Sequence, residues 1–302
     1  MVDIIIIGGG IAGMTAALYS LRSGKSVLII EKENFGGQIA NSPKVENFPT
    51  IKEISGIELS DRLFEQISAL GVQIELDTIS DVTKNNDCFD CVGEYNTYHS
   101  KAVIIASGVH HRKIGVERED ELVGKGISYC AVCDGAFYKG EDVALIGDAN
   151  TALQYTLLLS NYCKHVYLCT LFDKFFAEDA LVKAMNQREN VIVTHNLSLE
   201  KFVGENELTG LDFKDTKTEE IKHFDCKACF IAIGQIPSNE AFKNVCDLDK
   251  AGYIISDETC LTKTKGVFVA GDCRTKKIRQ LTTAVSDGAT AAIAAVSYID
   301  QL

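Results

Sequence analysis

Short apolar runs that are followed by glycine-rich turns recur along this 302-residue chain. The first run, Val2 to Ile7, precedes a predicted helix that continues to about Ser23, and Ser26 to Glu31 is the next run. Runs of this length without polar alternation are typical of strands buried on both faces of a parallel sheet. The pattern therefore predicts a βαβ unit at the start of the chain.

A second unit with the same order begins near the middle of the chain. Val143 to Ile146 predicts its first strand, a helix follows to about Ser160, and His165 to Thr170 predicts its second strand. Residues near 80–100 and 200–225 alternate irregularly between apolar and polar, which predicts two small antiparallel meanders.

The last third of the chain returns to the first unit. Ala228 to Gly234 predicts the closing strand of the second unit, and a strand at 266–271 precedes an Ala-rich helix from Gln280 to Tyr298. The predicted fold class is α/β, with two doubly wound, nucleotide-binding-like domains. We expect residues 114–238 to form a domain that is inserted into a discontinuous FAD-binding-like domain of residues 1–113 and 239–302.

An earlier helical stripe, expected to be core, consists of Leu59, Leu63, Phe64, Ile67 and Leu70.

Composition narrows the function classes. The net charge of −12 and the pI near 5.0 argue against binding to nucleic acid or to an anionic membrane surface. The apolar stretch Ile4 to Ile7 is too short for a membrane span or a signal peptide. Eleven cysteines without an export signal indicate a reducing compartment, so a cytoplasmic protein is expected.

The first glycine turn carries the Gly-x-Gly-x-x-Gly pattern. Gly8 makes the tight turn, Gly10 admits a pyrophosphate, and Gly13, just after Ala12, allows close packing of helix on strand. Glu31 ends the second strand, where an acid can hold a ribose hydroxyl. Strand, turn, helix, strand and acid in this order predict a dinucleotide site.

Cys130 and Cys133 are spaced i, i+3 at a predicted helix start, which brings both sulfurs to one face within disulfide reach. We expect the helix dipole to lower the thiol pKa there, and the neighbouring Asp134 can move protons. The alternative is a pair of small buried hydrophobic residues.

Two more pairs share the Cys-x-x-Cys spacing and raise the possibility of zinc: Cys88 with Cys91, and Cys226 with Cys229. Both pairs lie in predicted β-structure, where residues i and i+3 point to opposite faces, so core and edge-strand cysteines are the preferred interpretation. No metal is predicted.

Together these residues resemble the low-molecular-weight thioredoxin reductases, over Asp3 to about Tyr298. The resemblance implies a homodimer that binds FAD in the outer domain and reduces thioredoxin through the dithiol. The motifs that carry it are Gly8–Gly13, Gly36-Gly37-Gln38, Val45–Pro49, Cys130–Gly135 with Phe137-Tyr138, Gly271-Asp272 and Arg279-Gln280.

The same resemblance implies which residues surround the flavin beyond the first turn and Glu31. They are Gly36, Gly37, Gln38, Asn47, Ala106, Gly108, Asp272, Arg279 and Gln280. Taken alone, Gly36 and Gly37 would be a surface turn and Asp272 a helix-capping acid. The resemblance also implies that Cys133 faces the flavin, that Cys130 attacks thioredoxin, and that Asp134 carries the proton.

The second domain departs from relatives that use NADPH. The middle glycine of its turn is replaced by Ala149, and Asp148 places a carboxylate where phosphates should bind. Residues 170–176 contain no arginine, although the family grips the 2′-phosphate there with a cluster of arginines. At roughly 1.5–3 kcal/mol for each lost contact, affinity should fall by several orders of magnitude.

This pattern resembles the ferredoxin-dependent flavin thioredoxin reductases, which take electrons from reduced ferredoxin. Ferredoxin has a reduction potential of about −400 mV and thioredoxin one of about −270 mV. Transfer of two electrons from the first to the second therefore releases about 6 kcal/mol. Arg274, Lys276, Lys277 and Arg279 offer four positive charges within six residues, which would suit a docking patch for an acidic ferredoxin. The alternative is a solvated loop in which Arg279 packs on the flavin.

Three alternatives remain. One is a dithiol oxidase that passes electrons through flavin to oxygen. Another is an NADH-dependent reductase in which Asp173 holds the ribose. The last is a non-catalytic redox sensor or zinc-binding module built on the three Cys-x-x-Cys pairs.

Overall fold

The computed structural model describes residues 1–42 and 44–302, and it divides into two compact units. The first comprises Met1–His110 and Ile236–Leu302, and the second comprises His111–Gln235. Each crossing therefore lies about three residues before the position expected from the sequence. At the crossings, His110–His111 and Gln235–Ile236 pair as a two-stranded ribbon.

Strands and helices alternate along most of the chain. The strands are β1 (Val2–Ile7), β2 (Val27–Glu31), β3 (Gln73–Leu76), β4 (Ile79–Asn85), β5 (Cys88–Gly93), β6 (Thr97–Ile105), β7 (His110–His111), β8 (Ile127–Ser128), β9 (Asp142–Ile146), β10 (His165–Cys169), β11 (Val191–Thr194), β12 (Leu197–Val203), β13 (Gly210–Asp215), β14 (Ile221–Asp225), β15 (Ala228–Ile231), β16 (Gln235–Ile236) and β17 (Val267–Val269). The α-helices are α1 (Ile11–Arg22), α2 (Gly56–Ser68), α3 (Glu119–Leu122), α4 (Ala131–Asp134), α5 (Asn150–Leu159), α6 (Asp179–Asn186) and α7 (Leu281–Ile299).

The first unit is built on a sheet with the order β3-β2-β1-β6. The far edge of β6 pairs with β17 in parallel at its end and with the antiparallel hairpin β5-β4 at its start. Because successive side chains point to opposite faces, Ile4 and Ile6 enter one core and Ile5 and Ile7 enter the other. Both faces are buried, as the unbroken apolar run predicts.

Helices α1 and α7 pack closely over one face of this sheet. A Cβ at Gly288 of α7 would overlap the carbonyl oxygen of Ala12, so the two backbones touch where α1 begins. In α2, Leu59 and Ile67 are buried and Leu63 and Phe64 are partly buried. The prediction that Leu70 completes this stripe is wrong, because α2 ends at Ser68 and Leu70 is exposed.

The second unit repeats the architecture with a parallel sheet of order β11-β10-β9-β15-β8 and a separate antiparallel sheet β12-β13-β14. The registers of β9 with β10 and β15 bring Ile146, Cys169 and Ile231 to one edge. The expected fold class of two nucleotide-binding-like domains is thus confirmed. The sequence did not predict β3, α6 or β11, which are short and partly exposed.

No helix in the described part of the chain has the length and apolar character needed to cross a bilayer.

Candidate functional site

The glycine turn of the first unit is fixed by packing at two positions. Gly8 has φ +111°, and a Cβ there would overlap the carbonyl oxygen of Ala106. A Cβ at Gly13 would overlap the carbonyl oxygen of Gly8. These two positions require glycine for the turn itself, whatever ligand is bound.

Gly10 is different, because its missing side chain leaves space. It forms a parallel bridge with Gly36, and the Gly36 N–H donates to the Gly9 carbonyl oxygen at 2.9 Å. Beyond its chain neighbours, a Cβ at Gly10 would meet first the Gly36 carbonyl oxygen, at 3.9 Å. The backbone of Gly10 and Gly36 therefore forms a cradle above the N-terminus of α1 that is open on the Gly10 side, which suits a pyrophosphate. At Gly36, glycine is required by packing, because a Cβ there would overlap the Ser60 hydroxyl.

Glu31 is anchored beside this cradle. Its Oε2 accepts the Gly9 N–H at 2.6 Å and its Oε1 accepts the Glu33 N–H at 2.9 Å. The side chain is buried and each oxygen retains a free lone pair. The carboxylate can therefore accept hydrogen bonds from ribose hydroxyls.

Asp272 belongs to the same set of predicted flavin-binding residues and comes from the C-terminal segment of the first unit. It follows Gly271, whose Cβ position lies 2.9 Å from the Ala12 Cβ, so it lies close to the start of α1. Its Oδ1 is buried without a hydrogen-bond partner in the described residues, and burial raises its pKa against the opposing effect of Lys276 and Arg279. A buried acceptor with no donor marks a ligand site, and the hydroxyls of a flavin's ribityl chain provide such donors.

The remaining predicted flavin residues are joined to this group by fewer contacts. Asn47 Nδ2 donates to Gln280 Oε1 at 3.4 Å, and Gln280 caps α7. Arg279 Nε donates to the Asp272 carbonyl oxygen at 3.2 Å, and its guanidinium lies 4.2 Å from the Tyr253 ring centre. Gly108 has φ +66°, and its N–H forms a hydrogen bond with the Cys273 thiol.

Gly37 and Gln38 form the start of a 3₁₀ helix, and both are exposed. A Cβ at Gly37 would lie 3.3 Å from the Gly10 Cα, which places Gly37 beside the cradle. Among the described residues, Gln38 is connected to the cradle only as the chain neighbour of Gly37.

The predicted ferredoxin-docking patch is wrong. Arg274 is 1% exposed and binds Asp287 through two 2.9 Å hydrogen bonds. Lys276 is also buried, and its Nζ donates to Asp287 Oδ2 at 2.8 Å. Only Lys277 of the four cations is exposed, and Arg279 stacks on Tyr253. Sequence spacing could not show this, because the neutralising carboxylate lies in a different element.

In the second unit, Cys130 and Cys133 form a disulfide with a Cα–Cα distance of 5.3 Å. Cys130 is the N-cap of α4, and the Cys133 N–H donates to Cys130 Sγ at 3.2 Å. The helix is only four residues long, so the expected macrodipole is small and this local N–H is what stabilises a Cys130 thiolate.

Asp134 lies at the end of the same helical turn. Its Oδ2 accepts the Ser128 hydroxyl at 2.6 Å, and its Oδ1 is buried without a partner in the part of the chain that the structure describes. Burial raises the pKa of Asp134, and the Ser128 hydrogen bond opposes that shift. A carboxyl group with a raised pKa beside a disulfide is suited to moving a proton.

The other cysteines are separate from this chemistry. Cys88 and Cys91 lie on opposite faces of β5, and burial raises the pKa of the Cys91 and Cys226 thiols to about 12. Within residues 1–42 and 44–302, no group of three or more metal-ligating side chains is assembled.

The turn of the second unit repeats the backbone arrangement of the cradle with residues that carry side chains. Ala149 forms a parallel bridge with Phe176, and the Phe176 N–H donates to the Asp148 carbonyl oxygen at 2.8 Å. These are the same backbone relationships that join Gly10 and Gly36 in the first unit. Where the first unit has two glycines, the second has an alanine and a phenylalanine.

The surroundings of this second turn are apolar and acidic. Leu171, Phe172 and Phe176 are each about half exposed, and Lys174 lies over the Phe176 ring at 5.1 Å. Glu178, exposed at the start of α6, exchanges two hydrogen bonds with Asn150, the first residue of α5.

Comparison with known proteins identifies the family. The model for pyridine nucleotide-disulphide oxidoreductases matches residues 2–288. Thioredoxin reductase of Bacillus subtilis is 38% identical to this chain, over 99% of this chain and 95% of its own length. A "34.2 kDa protein in rubredoxin operon" of Clostridium pasteurianum is also 38% identical, over 98% of this chain and 97% of its own length. The chain belongs to the low-molecular-weight thioredoxin reductases. The crystal structure of Streptococcus pyogenes thioredoxin reductase superposes with a TM-score of 0.97, at 33% identity over 100% of this chain and 99% of that one.

Thioredoxin reductases of this family are FAD-binding flavoproteins, which confirms the expected cofactor. The open Gly10–Gly36 cradle, the anchored Glu31 and the unpartnered Asp272 oxygen all fit FAD in the first unit. Two residues around the sites were missed from the sequence, Ser128 and Asp287. Ser128 lies two residues before Cys130, and that spacing was its only signal. Asp287, inside an Ala-rich helix, gave none.

Proposed function

We propose that this thioredoxin reductase takes its electrons from reduced ferredoxin, and not from NADPH, and passes them through FAD and the Cys130–Cys133 disulfide to thioredoxin. The observation that supports the donor is the turn of the second unit, where Ala149 has the backbone position of Gly10 and Phe176 has that of Gly36. A protein without a pyridine nucleotide site needs another reductant.

Sterics and charge both argue against a dinucleotide at this turn. The Ala149 Cβ stands at the backbone position that Gly10 leaves open in the first unit, and Asp148 adds a negative charge at the start of α5. The only cation within residues 170–176 is Lys174, against the single acid Asp173. Without arginines to hold a 2′-phosphate, NADPH loses its charge-assisted contacts.

The residues of the dithiol turn perform the second half of the reaction. When bound, FAD accepts electrons singly or in pairs, and so can join a one-electron carrier to a two-electron disulfide. We assign nucleophilic attack on thioredoxin to Cys130, because the Cys133 N–H stabilises its thiolate. Cys133 is then the thiol that exchanges electrons with the flavin, and Asp134 carries the proton.

Thioredoxin is the proposed acceptor, ferredoxin the proposed donor, and a cytoplasmic homodimer the proposed assembly. The buried positions of Arg274 and Lys276 mean that the docking surface for ferredoxin must use groups other than these two side chains. An acidic ferredoxin would approach a chain with a net charge of −12, so electrostatic attraction has to come from a local group of cations.

The deciding experiment compares three donors under anaerobic conditions, namely NADPH, NADH and reduced ferredoxin, with oxidised thioredoxin as acceptor. Only ferredoxin should support turnover, and millimolar NADPH should leave the flavin oxidised. Rapid flavin bleaching at micromolar NADPH would reject the proposal. Oxygen uptake with a small dithiol, measured in parallel, tests the oxidase alternative.

A further inference from the structure

We propose that Ser128 is a positioning residue that fixes which oxygen of Asp134 carries the catalytic proton. The inference rests on the proposed role of Asp134 as proton carrier. It concerns the hydrogen bonds around that carboxyl group, which the sequence did not indicate.

Ser128 ends β8 and is 5% exposed, so water does not compete for its hydroxyl. Its Oγ accepts the Cys130 N–H at 3.0 Å and lies 2.6 Å from Asp134 Oδ2. One hydroxyl group therefore bridges the backbone of the redox-active cysteine and the carboxyl group of the proton carrier.

The direction of the short bond follows from the available acceptors. A serine hydroxyl has one proton to donate. The other acceptor near Ser128 Oγ is the Cys130 carbonyl oxygen, at 3.4 Å, which already accepts the N–H groups of Cys133 and Asp134 at 3.1 Å and 3.0 Å. The hydroxyl proton therefore goes to Asp134 Oδ2, at the shorter distance.

It follows that the acid proton of a neutral Asp134 sits on Oδ1. That atom is buried and has no partner among the described residues, so no hydrogen bond has to break when the proton leaves. Transfer from Oδ1–H to a cysteine thiolate yields a thiol and an Asp134 carboxylate, which Ser128 continues to hold through Oδ2. The reverse transfer restores the neutral acid.

Other titratable groups near Asp134 keep a fixed charge during this step. Tyr138, in the following 3₁₀ turn, and Tyr155, on the packed helix α5, are both affected by the Asp134 charge. Burial, and then that charge, raise the pKa of both phenols above their ordinary values, so they stay neutral near pH 7. The dithiol and Asp134 are left as the groups that exchange the proton.

The test isolates the thioredoxin half-reaction from the donor. Enzyme reduced anaerobically by light is mixed with oxidised thioredoxin, and the reoxidation rate is followed from about pH 5 to pH 9 in the wild type, Ser128→Ala, Ser128→Thr and Asp134→Asn. Loss of the Ser128 hydrogen bond raises the pKa of Asp134, so the falling limb in Ser128→Ala should move to higher pH. The plateau rate should drop about tenfold or more, since the acid proton is no longer confined to Oδ1.

Ser128→Thr keeps the hydroxyl and should restore the wild-type profile. Ser160→Ala, which removes another buried serine hydroxyl of the same unit, should change nothing. A wild-type profile in Ser128→Ala together with a slow Asp134→Asn would overturn the role of Ser128 alone. A fast Asp134→Asn would overturn the proton-carrier role and the inference with it.

Infrared difference spectra provide a readout that is independent of turnover. The carboxylic acid band that Asp134→Asn removes should shift to higher frequency in Ser128→Ala, because the carbonyl oxygen Oδ2 loses its hydrogen-bond donor. An unchanged band, or a shift to lower frequency, would mean that Asp134 donates to Ser128 and would overturn the assignment.

Discussion

Asp287 binds Arg274 through two hydrogen bonds of 2.9 Å, and both side chains are at least 95% buried. The same carboxylate accepts hydrogen bonds from the Lys276 ammonium group at 2.8 Å and from the Gly271 N–H at 3.0 Å. Because Gly271 precedes Asp272, this cluster fixes the turn that presents the unpartnered Asp272 oxygen. Two cations that the sequence suggested as a docking surface therefore hold the flavin-binding turn in place.

Asp287→Ala should destabilise the protein by about 3–5 kcal/mol, since it removes the buried counterion of Arg274 and Lys276 and leaves Arg274 with the exposed Glu258 carboxylate at 3.3 Å. Burial raises the pKa of Asp287, but hydrogen bonds from Arg274 and Lys276 outweigh burial and hold the pKa below its ordinary value. The stabilisation is therefore present above about pH 4 and is lost as pH falls through the lowered pKa. Denaturant unfolding of wild type and variant across pH measures this difference.

A matched control is Asp247→Ala, which removes an exposed ion pair with Lys263 at 2.9 Å. It should cost about 0–1 kcal/mol at neutral pH. Equal losses in the two variants would contradict the structural role of the Asp287 cluster, and so would full retention of FAD by Asp287→Ala.

Gly10→Val and Gly13→Val should separate cofactor binding from folding. A Cβ at Gly10 meets only the Gly36 carbonyl oxygen beyond its chain neighbours, at 3.9 Å, so the variant should fold but lose FAD. A side chain at Gly13 overlaps the Gly8 carbonyl oxygen, so that variant should lose stability as well. Flavin absorbance after purification and thermal unfolding distinguish the two. A fully yellow Gly10→Val would show that the pyrophosphate lies elsewhere.

The two cysteines should give different single variants. Cys130→Ser leaves Cys133 as the lone thiolate, which should produce long-wavelength charge-transfer absorbance if Cys133 faces the flavin. Cys133→Ser leaves Cys130, stabilised by the N–H of residue 133, to trap oxidised thioredoxin as a mixed disulfide. Absorbance spectra and non-reducing gels report the two outcomes, and exchanged behaviour would reverse the assigned roles.

The elements and the first turn were predictable because their determinants are local. An apolar run with both faces buried, as in Ile4 to Ile7, and glycines that a tight turn requires are written in adjacent residues. The Asp287 cluster was not predictable, because charge pairing depends on which side chains the fold brings together. The sequence places Arg274 and Lys276 in a cationic run, and their partner is 13 and 11 residues further along, in α7.

The same limit applies to the second turn. The sequence showed Ala149 and the missing arginines, but it did not show that Phe176 lies beside Ala149 as Gly36 lies beside Gly10. That equivalence depends on how the segment after β10 folds back on the start of α5. Ser128 was missed for a related reason, since its two hydrogen bonds exist only once β8 and α4 are in place.

Rebuilding the second turn should create NADPH-dependent activity. Asp148→Gly and Ala149→Gly reopen the cradle, and Leu171→Arg, Phe172→Arg and Phe176→Arg place cations at three side chains that are already about half exposed. A charge-assisted hydrogen bond to phosphate contributes about 1.5–3 kcal/mol, so a single new arginine–phosphate pair should improve NADPH affinity by about 10- to 100-fold. Anaerobic stopped-flow reduction of the flavin by NADPH and by NADH measures the improvement, which should favour NADPH because only it carries the 2′-phosphate.

The matched control has the two glycines with Leu171, Phe172 and Phe176 changed to glutamine, which removes the apolar side chains without adding charge. Equal improvement in both variants would assign the defect to the turn and the apolar side chains and not to the missing positive charge. No improvement in either would mean that other parts of the second unit exclude the nucleotide.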